Sequence, residues 1–361
     1  MQPRERFLTT LQRREPDRPP LFATVTPQTA RKLSTAFDLP YEEPLDSLLS
    51  TRISHMHLLT EAGNDAAGIA ACAPSDSPTF TDNQGLIVNE WGMRFKTVGV
   101  YNEFAGFPLA AIKARQELEN YNFPDPFASG RFDEARRTVH TYGERYAIIG
   151  DLECTMFETA WYLVGLEKFL LDLVNDEPYV QPLLDRILEI NLETGKRLIT
   201  LGADMIWAGD DFGGQEGMIM SPELWRRIFK PRIKYLFEEL KSVNADIKLA
   251  WHSCGSIRPI IADFIEIGLD ILNPIQPLAR QMDPFSLKSE FGKDLILFGG
   301  IDIQQLLPSG SPAEIKDDVR RKIDVLGKDG GYIIAPAHNL QDDTPVENIL
   351  AFFEAVRSYN D

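Results

Sequence analysis

His252 and Cys254 stand two positions apart at the end of the apolar run DIKLAWH (246–252), just before Gly255. In an extended chain, residues i and i+2 face the same side. An imidazole and a thiol placed this way would offer lone pairs to one point, which is half of a zinc site. A third candidate ligand, His338, lies just beyond the apolar run GYIIAP (331–336). Catalytic zinc commonly has three protein ligands and one open position, and thiolate with imidazole suits zinc rather than magnesium or calcium. The competing reading is inert packing, because a free Cys often behaves as a small buried hydrophobe. The other histidines carry no such pattern. His55 and His57 are two apart in the helical-looking TRISHMHLLTEAG and would not share a helix face, and His140 falls in an exposed-looking helix.

Acids and amides gather at the ends of neighbouring apolar runs. RYAIIGD (145–151) is followed by Glu153, Cys154 and Glu158, and ADMIWAGD (203–210) runs on through Asp211 to Gln215. Adjacent residues alternate sides, so at most one of Asp210 and Asp211 faces a site, and the other would cap a helix or hold a turn. Glu158, Asp210 and Asp211 are therefore candidates for catalytic acids or for orienting His252. Asn273, Gln276 and Asp302 end later runs and, with Gln215, are candidate substrate contacts. Neither a GxGxxG after the first run nor a Walker loop is present, so no phosphate fingerprint is seen.

What must position these residues is a series of eight apolar runs: 19–25, 65–71, 145–151, 203–210, 246–252, 269–274, 295–300 and 331–336. Continuous apolar runs suit strands buried on both faces, as in a parallel sheet. Helical patterns fall between most of them: 164–176, 177–200, 221–242 (which Pro231 should kink or split), 256–268, 311–327, and 344–359 with Thr344 as its cap. Eight strands alternating with helices predict a (β/α)8 TIM barrel of class α/β, with a doubly wound open sheet as the alternative. Active sites in such barrels form at the C-terminal strand ends, where the residues above fall. We read residues 1–361 as one domain with an N-terminal helical extension. An insertion at 72–140 should carry a small β-ribbon after the second strand.

Composition narrows the function classes. The chain has 361 residues, 43% hydrophobic and 25% charged, with a formal net charge of −17. That charge disfavours nucleic acid and discourages a polyanionic substrate. No run of apolar residues is long enough to span a membrane, and the charged start lacks a signal-peptide core. Three cysteines are too few for a disulfide framework, so a reducing cytoplasm is expected.

Nearly the whole chain resembles the uroporphyrinogen decarboxylase superfamily. The strongest segments are GDDFGGQEGMIMSPELWRRIFKPRIKYL, WHSCGSIRPIIADFIEIGLDILNPIQP, FGGIDIQQLL and YIIAPAHNLQDDTPVENI. The resemblance implies a (β/α)8 barrel, often dimeric, and one of two chemistries. The decarboxylase branch carries an arginine-bearing MRQAGR-like segment that holds acetate groups. Here that region reads LFATVTPQTARKL, with Arg31 and Lys32 as its nearby cations. The other branch is zinc-dependent methyltransferases that work with cobalamin on a separate corrinoid protein. Those resemble this chain at His252 and Cys254, and His338 stands where their third ligand, a cysteine, would be. The resemblance therefore implies zinc on His252, Cys254 and His338, and methyl transfer between a small methylated substrate or thiol and a corrinoid protein. Metal-free decarboxylation of a porphyrinogen or other carboxylated molecule is the alternative. A non-catalytic barrel that binds a tetrapyrrole or a partner is a third.

Overall fold

The computed structural model describes residues 1–45, 52–98 and 101–360. After helices at Pro3–Leu11, Pro27–Ala36 and Met56–Ala62 comes the first sheet strand, β1 (Ala66–Ile69). An antiparallel sheet of four strands follows: β2 (Phe80–Thr81), β3 (Ile87–Val88), β4 (Arg94–Val98) and β5 (Tyr101–Gly106). This occupies the region read as a ribbon insertion and has twice the strands of a hairpin. The main sheet then resumes with β6 (Ala147–Cys154), β7 (Met205–Gly209), β8 (Lys248–His252), β9 (Ile271–Ile275), β10 (Ile296–Ile301) and β11 (Tyr332–Pro336). Its order is β1-β6-β7-β8-β9-β10-β11, and every pairing is parallel.

Seven of the eight apolar runs thus become strands of one parallel sheet, and the first does not. Residues 19–25 make only single bridges, Leu21 to Ile334 and Val25 to Leu340. Pro19 and Pro20 have no N–H to give a ladder. Side chains satisfy much of the rest: Leu21 N–H donates to Asp65 Oδ2 at 2.8 Å and Ala23 N–H to Asn64 Oδ1 at 2.9 Å. The segment nevertheless touches both edges of the sheet. Phe22 N–H donates to Ile334 O at 3.2 Å in β11, and Asp65 N–H, at the start of β1, donates to Leu21 O at 2.8 Å.

Alternation along each strand sorts the side chains. One face packs Ile149, Met205, Trp207, Ala250, Ile271, Phe298 and Ile333 with Phe7, Leu11 and Phe22. The other face sends Ile206, Ala208, Leu249, Trp251, Leu272 and Ile334 into the core shared with the helices. Both faces are buried, which is why the runs read as unbroken apolar sequence.

Most helix signals are realised. Helices Pro222–Ile228 and Lys230–Val243 meet at Phe229, so the split falls just ahead of Pro231, which takes a first-turn position. Ser311 and Glu314 form a full capping box on Pro312–Leu326. Two expectations fail. The stretch 256–268 holds only a 3-10 turn at Arg258–Ile260 and a short helix at Ile261–Glu266, because Pro259 sits where a longer helix would need its N–H. Thr344 does not cap the last helix: its hydroxyl donates to Asp343 Oδ1 and Pro345 is the N-cap. Among the described residues no helix is long and apolar enough to cross a membrane.

Candidate metal and active site

His252 ends β8 on the same face as Ala250, with Trp251 turned to the helices. The chain then turns, and Cys254 Sγ comes 3.4 Å from His252 Nε2. The turn depends on glycine. Gly255 has φ +74°, and a Cβ there would lie 2.5 Å from the backbone carbon of Gly213. The loops after β7 and β8 therefore pack backbone to backbone, which holds Cys254 in place. His338 arrives from the segment after β11, its ring 6.2 Å from that of His252. One ligand atom from each of His252, Cys254 and His338 lies within 4.8 Å of the others. Ligands around a tetrahedral zinc stand about 3.3–3.8 Å apart given the usual bond lengths, so the His252–Cys254 spacing already fits and His338 needs a small approach.

Three further observations bear on whether this set could hold a metal. First, His252 Nδ1 lies 2.7 Å from Asn273 Oδ1, while Asn273 Nδ2 donates to Phe298 O at 3.3 Å. The amide oxygen therefore accepts the Nδ1 proton and leaves Nε2 as a lone pair facing Cys254. Second, His338 Nδ1 is buried with no hydrogen-bond partner, the kind of orphan that asks for an explanation. Third, burial, and after it the charge of Arg52, pushes His252 well below its ordinary value and lowers His338 as well. Both imidazoles are thus neutral donors at pH 7. Burial raises the Cys254 thiol, with Asp211 and Glu158 adding to the shift, so a metal would have to displace its proton. The donor set fits a zinc ion.

The two adjacent aspartates divide as alternation requires. Asp210 is fully buried and accepts the N–H groups of Met156 and Glu158, at 3.0 and 2.9 Å, at the start of helix Phe157–Val164. It shapes the fold and does not face the site. Asp211 lines the cavity, accepts Cys254 N–H at 2.6 Å, and stands 3.6 Å from His252 Nε2. Glu158 lies beside it: Oε2 accepts Asp211 N–H at 3.0 Å and Oε1 accepts the Tyr162 hydroxyl at 2.8 Å. Burial, with Asp211 and Asp210 nearby, raises the Glu158 carboxyl well above its ordinary value. Cys154 is on the same wall, Sγ 3.6 Å from Tyr162 Oη.

The expected substrate contacts are placed less favourably. Asn273 orients His252 and so acts through it. Asp302 spends both carboxylate oxygens on the N–H groups of Gln304, Gln305 and Leu306, capping the turn after β10. Gln276 is buried and accepts Gly255 N–H. Gln215 is exposed on the loop after β7. None of Gln215, Gln276 and Asp302 lines the cavity: loop backbone engages Gln276 and Asp302, and Gln215 stays in solvent. The cavity itself, about 210 Å³, is lined by Arg52, Cys154, Glu158, Tyr162, Gly209, Asp211, His252 and His338. Arg52 and Tyr162 were not singled out from sequence. Tyr162 sits one helical turn beyond Glu158, a spacing that could have flagged it. Arg52 lies outside every apolar run, and no local pattern marks it.

Comparison with known proteins places the chain in a family and supports the fold. Residues 99–359 match the family described as uroporphyrinogen decarboxylase (URO-D). A methylated-thiol–coenzyme M methyltransferase of Methanosarcina mazei is 22% identical over 232 residues, 64% of this chain and 58% of that protein. A methylcobamide:CoM methyltransferase of Methanosarcina barkeri is 24% identical over 218 residues, 60% of each chain. A uroporphyrinogen decarboxylase of Trichormus variabilis is 26% identical over 260 residues, 70% of each. The chain thus spans about 60% of the length of the two methyltransferases it matches. A solved methyltransferase structure from Methanosarcina mazei superposes over 100% of both chains with a TM-score of 0.73 at 20% identity, which is a likeness of fold.

Proposed function

The chain belongs to the uroporphyrinogen decarboxylase (URO-D) family, and from that premise we propose that it is a zinc-dependent methyltransferase, moving a methyl group between a small substrate and a corrinoid carried by a separate protein. The observation that carries this reading is the convergence of His252, Cys254 and His338, with Nε2 of His252 freed by Asn273. The names of the two Methanosarcina relatives, which act on coenzyme M, support it. We also read the fold as a closed (β/α)8 barrel, with residues 20–25 as its irregular eighth stave.

Zinc held by these three residues would bind a thiol as thiolate at neutral pH or polarise the oxygen of a methyl donor. The protein's own groups do the rest. Asn273 holds the His252 tautomer. Asp211 fixes the Cys254 backbone and offers a negative charge beside the open side of the cluster. Burial, with Asp211 and Asp210 nearby, raises the Glu158 carboxyl and so favours its protonated form at the cavity wall, and the apolar barrel beneath excludes water.

The decarboxylase alternative lacks a comparable observation. Arg31 and Lys32 are exposed and paired with Glu43 and Asp342, outside the cavity. The test is elemental analysis of untagged wild type and Cys254→Ala, together with demethylation of methylcobalamin in the presence of a thiol. About one zinc per chain, lost with Cys254, and thiol-dependent demethylation are expected. No zinc in either protein after incubation with the ion, and no demethylation, would refute the reading and make porphyrinogen decarboxylation the assay to run.

A further inference from the structure

One buried histidine takes no part in the chemistry above. His55 stands at the start of helix Met56–Ala62, where it is the N-cap, with a left-handed backbone at φ +60°. An N-cap is ordinarily a Ser, Thr, Asp or Asn whose side chain accepts a helix N–H. The His55 side chain caps nothing, and the residue is only 5% exposed. Its ring turns instead to residues 41–45, which come in from helix Pro27–Ala36. The Tyr41 ring lies 5.7 Å away, and the Glu42 carbonyl accepts a ring N–H. Nε2 is buried with no hydrogen-bond partner among the described residues, so the nitrogen that donates to Glu42 is Nδ1. Beside it, Leu45 N–H donates to Ser54 Oγ at 3.0 Å. Residues 41–45 thus form a strap pinned across Ser54 and His55.

The groups around the ring decide what a second proton would do. Glu43 is the nearby acid, but its side chain is 74% exposed and already paired with Arg31 at 3.0 Å. Arg31 in turn sits 4.0 Å from the Tyr41 ring centre. On helix Asp133–Tyr142, Tyr142 feels the charges of Glu42 and Glu61. None of these groups accepts from Nε2. A proton there would put a charge into a buried position without an acceptor, which is costly. Burial accordingly lowers His55 below its ordinary 6.5, and the Glu43 charge and Glu42 carbonyl offset only part of that. The ring is therefore neutral at pH 7. A lowered folded value means that the closed strap loses stability as pH falls below 6.5, until the folded value is passed.

We infer that His55 is an acid-sensitive latch: its neutral ring holds the strap 41–45 against the start of helix Met56–Ala62, and its protonated ring releases the strap into solvent. Ser54 and His55 follow closely on Arg52, which lines the strand-end cavity, so release loosens the stretch that enters the cavity wall. The latch does not depend on which reaction that cavity performs.

The test is hydrogen exchange read by mass spectrometry on the full chain, as wild type and as His55→Asn, between pH 7.5 and pH 5. Rates are expressed as protection factors, which removes the intrinsic pH dependence of exchange. Asparagine accepts a left-handed backbone and does not titrate in this range. In wild type, peptides covering 38–45 and 53–60 should lose up to about tenfold in protection per pH unit below 6.5, the linkage of a single proton. Strand Lys248–His252 should keep its protection, and His55→Asn should show no such loss in the strap. Constant protection of the strap in wild type overturns the inference. So does a loss shared equally by strand Lys248–His252, which would be general acid unfolding, or an undiminished loss in His55→Asn. The first two results come from wild type alone, so a variant that misfolds does not block the test.

Discussion

Replacing Asn273 with alanine tests the metal site without touching a ligand. Asn273 and His252 are both buried, and Asn273 Oδ1 accepts from His252 Nδ1 at 2.7 Å. In the metal-bound form Nε2 must be the ligand atom, so the proton is confined to Nδ1, where the variant leaves it buried and unpaired. That costs about 1–3 kcal/mol. In the metal-free form the ring can shift its proton to Nε2, which faces the cavity and Asp211 Oδ1 at 3.6 Å. The penalty therefore falls mainly on the metal complex, and zinc affinity should drop about 5- to 150-fold, in line with losses seen when such outer partners are removed. Competition with a chromophoric chelator measures this directly. Asn273→Asp, which keeps an acceptor, should retain or strengthen binding. Unchanged zinc affinity in Asn273→Ala would show that Nε2 of His252 is not the ligand atom and would undo the tautomer argument.

Other outcomes follow from the same geometry. Burial pushes the Asp210 carboxyl up to about 7 against an ordinary 3.8, despite the N–H groups of Glu158, Met156 and Phe157 that favour its charged form. A raised folded value means that the stabilisation from this group is present below about pH 4 and is lost as pH rises through about 7. Asp210→Asn should flatten that slope in urea midpoints measured across the range, and an unaltered slope would contradict the assignment. Gly255→Ala adds a Cβ at φ +74° against the Gly213 backbone, so it should lower Tm and abolish stoichiometric zinc; normal zinc content would show that the loop contact does not position Cys254. Ser311→Ala removes the capping box of an exposed helix start and should cost about 1 kcal/mol in chemical denaturation with zinc content unchanged.

The pairing of His252 with Cys254 was legible in the chain because strand parity is local: two positions return to the same face whatever the rest of the protein does. The same rule separated Asp210 from Asp211, and the unbroken apolar runs marked seven of the parallel strands because both faces of each are covered. Parity could not say what the last residues of each run would meet. Asp302, Gln276 and Gln215 looked equivalent to Asn273, yet backbone N–H groups of their own or neighbouring loops engaged the first two and the third stayed in solvent. Asn273 alone met an imidazole. The first run failed as a strand because side chains at 64 and 65 replaced a ladder its prolines could not supply. Arg52 was invisible, since its partner Asp151 is 99 residues away and no pattern in either segment points to the other. Alternation along a strand is a property of neighbouring residues, whereas the charge and shape of the cavity arise where loops distant in sequence close over the same strand ends.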